Sequence, residues 1–75
     1  MPPLPILKPK QVVRMFEKLG YAIHRQRGSH LIMIHPLRKM HQPVIPMHRK
    51  ELKRGTLKAI IRQSGLTTQE FLDLL

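Results

Sequence analysis

The chain has no cysteine and no tryptophan, only three aromatic rings (Phe16, Tyr21 and Phe71), and only four carboxylates, Glu17, Glu51, Glu70 and Asp73. Each scarcity removes a class of explanation. Without cysteine there are neither disulfides nor thiolate metal ligands to supplement a small core, and the composition suits a reducing compartment. Three rings are too few for a module that stacks successive bases on exposed aromatics. Carboxylates scattered along the chain do not offer the clustered acids that a two-metal nuclease needs. No apolar run approaches the roughly 20 residues of a membrane helix, and residues 1–8 are broken by proline and too short for the apolar region of a signal peptide. The expectation is a soluble, cytoplasmic protein with no membrane association.

What the chain has in excess is positive charge. Fourteen Lys and Arg face four Asp and Glu, leaving a formal charge of +10 and a sequence pI near 11.4. This exceeds what solubility asks of a small domain, so a polyanionic partner follows, and nucleic acid comes first because dense cationic charge captures phosphates and steers association. The 75 residues make a single domain, and a chain of this size buries only about 60% of its unfolded surface, which leaves room for one thin core and no deep substrate cavity.

Along the chain, residues 1–7 read as a loosely ordered start. Pro9 suits the first position of a helix, and Val12, Met15, Phe16 and Leu19 recur at helical spacing until Gly20, giving a first helix over 9–19. A weakly alternating stretch, 21–26, then turn chemistry at Arg27-Gly28-Ser29, then an isoleucine-rich run over 30–35 read as a β-hairpin. A basic loop containing Arg38, Lys39 and His41 leads to a third strand over 44–47, whose prolines Pro43 and Pro46 suit a sheet edge. Thr56 is placed to cap a second helix with Leu57, Ile60 and Ile61 on one face, ended by Gly65, and Thr67-Thr68-Gln69-Glu70 is a capping-box pattern opening a short last helix. The expected class is α+β: a three-stranded antiparallel sheet with helices packed on one face, in the order α-β-β-β-α with a short C-terminal helix.

His30 stands out because it sits at a strand end beside a glycine turn, where solvent and ligand can approach. In a strand, His30, Ile32 and Ile34 share one side and Leu31, Met33 and His35 the other, and periodicity does not say which side meets the helices. RNA can be cut without a metal, since its own 2′-hydroxyl is the nucleophile and needs only a base, an acid and cations to offset phosphate charge. Histidine, with an ordinary pKa of about 6.5, supplies both protonation states near neutral pH. The competing structural reading makes His30 a tolerated strand-end residue. The five histidines, His24, His30, His35, His41 and His48, match no compact ligand spacing, so no metal site is expected. His48, past the third strand, is a candidate second proton carrier or phosphate ligand, against a plain reading as a solvated loop residue. Arg25 and Arg27, then Arg49, Lys50, Lys53, Arg54 and Lys58 before and within the second helix, are candidate RNA contacts, against a reading as solvated faces.

Leu19-Gly20-Tyr21, then Arg25-Gln26-Arg27-Gly28-Ser29-His30, then Val44-Ile45-Pro46-Met47-His48, then the run from Glu51 to Leu66, together resemble the HicA toxin family of type II toxin-antitoxin systems, over nearly the whole chain from about residue 8. The resemblance implies a double-stranded-RNA-binding-domain-like fold, metal-independent cleavage of mRNA without a cofactor, growth arrest, and neutralisation by a HicB-type antitoxin in a hetero-oligomeric complex. It places the catalytic histidine at His30, with Gly28 and Ser29 shaping the site. The chain departs from many relatives in its proline-rich start and in the loop over 37–42. The alternative is a non-catalytic RNA-binding module using the same basic surface; a DNA-binding protein fares worse because no helix-turn-helix spacing is evident.

Overall fold

The computed structural model describes residues 3–75, in the order α1 (Pro9–Lys18), β1 (Ala22–Arg27), β2 (His30–Ile34), β3 (Val44–Pro46), α2 (Arg54–Ser64) and α3 (Thr68–Leu72). The strands form one antiparallel sheet ordered β1-β2-β3. This is the expected α+β arrangement, consistent with a double-stranded-RNA-binding-domain-like fold.

The core settles which sheet face meets the helices. Leu31, Met33 and Ile45 point inward and join Val12, Met15 and Phe16 of α1, Leu57, Ile60 and Ile61 of α2, and Phe71 of α3 among the buried side chains. The three rings that the sequence does possess are spent here: Phe16 lies 5.1 Å from Tyr21 and 5.7 Å from Phe71, centroid to centroid, in tilted packing. Because strand neighbours alternate, burial of Leu31 and Met33 turns His30, Ile32 and Ile34 to the opposite face. β1 is exposed along its whole length, and a bulge between Ile23 and Arg25 re-aims its second half so that Arg25 opposes Ile32 and Arg27 opposes His30.

Several expected boundaries shift, for identifiable reasons. Thr56 does not cap the second helix: α2 begins at Arg54, with extended Lys53 as its N-cap and no side-chain cap bond. Tertiary anchoring outweighs the capping preference, because buried Leu52 donates its N–H to the Leu7 carbonyl (2.8 Å) and fixes where the chain can turn into the helix. Thr56 lies half-buried within the first turn instead. The third strand stops at Pro46 rather than at Met47, whose N–H turns to the Ser29 carbonyl. The expectation of a loosely ordered start covers residues 1–7; residues 1 and 2 lie outside the described residues, while Leu7 is buried and Leu4 packs against the core.

Two termini follow the sequence closely. Gly65 ends α2 at φ 74°, a left-handed conformation that glycine adopts without a Cβ penalty. Thr67 and Glu70 form the reciprocal capping box, the Glu70 N–H donating to Thr67 Oγ1 (3.0 Å) and the Thr67 N–H to Glu70 Oε1 (2.8 Å). The Thr67 N–H first, and the Thr67 hydroxyl second, hold the Glu70 carboxyl below its usual range. The loop after β2 is pinned against the end of α2: Arg38 Nη2 and Tyr21 OH both donate to the Ser64 carbonyl, at 3.3 and 3.0 Å. A cation at a helix C-terminus is favourably placed. Arg38 is therefore occupied with the fold.

Candidate functional site

The β1–β2 turn has two residues, Gly28 and Ser29, with Gly28 at φ 58° and, among the described residues, no non-glycine residue at positive φ. Glycine in the first central position is the signature of a type II′ hairpin turn, whose twist matches that of the flanking strands. Gln26 Nε2 donates to the Gly28 carbonyl (3.0 Å), and Ser29 accepts from Met47 across the sheet. The Gly-Ser-His triplet is thus tied at both ends, and the turn sets the register that puts His30 opposite Arg27 on one side and Pro46 on the other.

His30 is exposed, and among the described residues its ring has no hydrogen-bond partner. That distinguishes it from His35, whose Nδ1 accepts from the Leu37 N–H (3.1 Å), leaving Nε2 to donate to the Leu19 carbonyl (3.1 Å), with the ring edge-on to Tyr21 at 5.1 Å. His35 is built into the fold; His30 is available. It looks onto a shallow cleft lined by Val44 and Pro46 of β3 and by Gly55, Thr56, Ala59 and Gln63 of α2. Gly55, Ala59 and Gln63 recur every four residues, so α2 lays one stripe along the β3 edge while the stripe beside it, Leu57, Ile60, Ile61 and Ser64, enters the core. Gln63 Oε1 accepts from the Val44 N–H at 3.0 Å and fastens helix to edge.

The cleft opens into a basic hollow lined by Pro46, His48, Arg49, Lys50, Glu51, Lys53 and Thr56. Pro46 and Thr56 belong to both. The structure therefore brings His30 and His48 onto one connected surface with Arg49, Lys50 and Lys53, while Arg25 and Arg27 stand on the same outer sheet face as His30. It separates Arg54 and Lys58 from that group. Together with Arg62 they form a stripe on another flank of α2, facing a hollow shared with Leu4, Leu66, Thr67 and Thr68. Sequence reasoning grouped Lys53, Arg54 and Lys58 by proximity in the chain; Lys53 is the extended N-cap outside the helix, whereas Arg54 and Lys58, four residues apart, share one helical flank.

A third hollow lies further along, lined by Lys8, Pro9, Lys10, Met47, His48 and Arg49. Lys8 and Lys10 fall at the start of a helix remote in the chain from every other candidate, so no local pattern groups them with the rest. Only the docking of α1 beside the β3–α2 connection shows their place. Among the described residues no three His, Asp or Glu side chains are grouped so as to hold a metal ion, and no helix is long and apolar enough to cross a membrane.

No curated protein matches the chain. The family model described as HicA toxin of bacterial toxin-antitoxin matches residues 9–66, from the first residue of α1 to just beyond the α2 cap, a span that contains the hairpin, the cleft and the basic hollow; the chain belongs to this family and is the toxin component of a toxin-antitoxin system.

Proposed function

We propose that this toxin is a metal-independent endoribonuclease that cuts mRNA in the cytoplasm, with His30 as the proton-transferring group. The observation that carries the reading is the unbonded His30 ring, opposite Arg27, on a cleft continuous with a cationic hollow. In the proposed reaction the substrate's 2′-oxygen attacks the adjacent phosphorus and the bond from phosphorus to the 5′-oxygen breaks. Products are a 2′,3′-cyclic phosphate and a 5′-hydroxyl. His30 accepts the 2′-hydroxyl proton, and the departing 5′-oxygen takes a proton from His48 or from solvent, so protons and electrons balance without an added reactant. Arg27 and Arg25 offset charge on the phosphorane, and Gly28 and Ser29 hold the histidine in place.

A HicB-type antitoxin is the proposed partner, in a hetero-oligomeric complex. Half-buried Ile32, Ile34 and Val44 share the outer sheet face with His30, so a protein covering that apolar strip also covers the histidine. An acidic complement suits a chain of charge +10.

The test is cleavage of a long mRNA by purified toxin in EDTA, with the new ends identified chemically. Cyclic phosphate ends formed in EDTA support the reading. Cleavage that needs added Mg²⁺, or tight binding with no cleavage under any condition, refutes it, the second outcome leaving a non-catalytic RNA-binding module.

A further inference from the structure

We propose that the hollow between the start of α1 and the β3–α2 connection is a second RNA-phosphate site, in which Lys8 and Lys10 hold a stretch of the strand outside the cleft where it is cut. The inference rests on the proposed ribonuclease reading and extends it to residues that neither the sequence motifs nor the cleavage cleft pointed to.

Continuity carries the argument. His48 and Arg49 line both this hollow and the basic hollow beside it, and Pro46 and Thr56 join the latter to the His30 cleft. One trough therefore runs from His30 past Lys50 and Lys53 to Lys10. Its far end gathers Lys8, Lys10, His48 and Arg49 from two segments some forty residues apart, and no carboxylate lines it. Its volume of about 530 Å³ falls within the usual range for small-ligand clefts, room enough for a nucleotide rather than a bare ion.

The placement of the lysines also runs against the needs of the helix they begin. α1 has no acidic residue in its first turn, and Lys8 and Lys10 bring positive charge to the positive end of its dipole, as Lys53 and Arg54 do for α2. α3 has the ordinary arrangement, with Glu70 in its first turn. Cations gathered where they weaken their own helices are a local inconsistency of the kind that functional surfaces carry. A polyanion lying in the trough would relieve the conflict at Lys8 and Lys10 of α1 and at Lys53 before α2. RNA is the occupant these observations favour over an acidic protein, because the trough presents discrete cations, with Glu51 its one carboxylate, and leads directly to the unbonded histidine.

The experiment compares wild-type protein with a Lys8→Glu/Lys10→Glu variant and a Lys8→Gln/Lys10→Gln variant, each in a His30→Ala background for binding and with His30 intact for cleavage. Glutamate near a helix N-terminus is favourable, so the reversed variant keeps its fold, which a thermal melt verifies. RNA affinity is measured across a salt series. Each phosphate contact on a single strand contributes a slope of about 0.7 in log K against log salt, so loss of both lysines should reduce the slope by about 1.4. Cleavage of a long RNA should weaken through KM with kcat retained, while a short oligonucleotide that spans only the His30 cleft is cut as before. An unchanged slope together with unchanged long-RNA cleavage overturns the second site. So does a variant whose RNA binding is intact but which no longer binds its acidic protein partner, which would give the hollow to the antitoxin. Failure of the wild-type protein to bind RNA at all is a different result: it removes the ribonuclease reading itself.

Discussion

Replacing His30 with alanine should separate catalysis from folding by several orders of magnitude. The side chain is exposed and, among the described residues, bonded to nothing, so its truncation leaves no cavity and no stranded partner. Exposed substitutions of this kind stay within about 0.5 kcal/mol, and at roughly 4–8 °C per kcal/mol for a domain of this size the melting temperature should move by no more than about 4 °C. Loss of a proton-transferring group typically lowers the rate about 10² to 10⁴-fold, equivalent to about 2.7–5.5 kcal/mol in the barrier. RNA affinity should change little, because Arg25, Arg27 and the cations of the trough remain. Melting, RNA binding and single-turnover cleavage, measured on one preparation, report the three quantities together. A variant that melts normally and cuts at the wild-type rate would remove His30 from the chemistry and move attention to His48. A variant that loses stability, binding and cleavage in parallel would mean that the ring is a packed strand-end residue after all.

Other perturbations test the scaffold that presents this ring. Gly28→Ala should destabilise by about 1–2 kcal/mol through backbone strain alone, because Gly28 sits at φ 58° and a Cβ there meets open space; chemical denaturation measures it, and an unchanged midpoint would refute the strained turn. Tyr21→Phe removes a buried bond to the Ser64 carbonyl and should cost about 1 kcal/mol near neutral pH. Burial raises the Tyr21 phenol above its ordinary value of 10.0, with Arg38 opposing the shift. Its stabilising contribution is therefore complete below that value and declines as pH rises through it and beyond. The gap between wild type and Tyr21→Phe should narrow on raising the pH from 9 to 11, and a gap that stays constant would contradict the assignment.

Much of this protein is written in residues close together in the chain. Helical spacing in Val12, Met15 and Phe16, the stop at Gly65 and the Thr67–Glu70 box act within one or two turns, so the sequence suffices to place them. Gly28 likewise specifies its own turn, and the charge of +10 raises the expectation of a polyanionic partner before any fold is known. The motif series across the hairpin, the third strand and the second helix carried the family, and the expectation about His30 rests on that resemblance. The start of α2 was not legible, because it depends on Leu52 reaching Leu7 across forty-five positions rather than on a local cap.

The inward face of β2 was likewise undecided by a run in which both sides are apolar; it is decided by where α1 and α2 find room to pack, and that choice is what turns His30 outward. Which cations share a hollow is tertiary in the same sense. Arg54 is adjacent to Lys53 in the chain yet faces another hollow, while Lys8 and Lys10 meet Arg49 only because α1 docks beside the β3–α2 connection. The physical reason is common to all of these. Propensity, turn chemistry and net charge are properties of neighbours in sequence, whereas a site is made of side chains that only packing brings together.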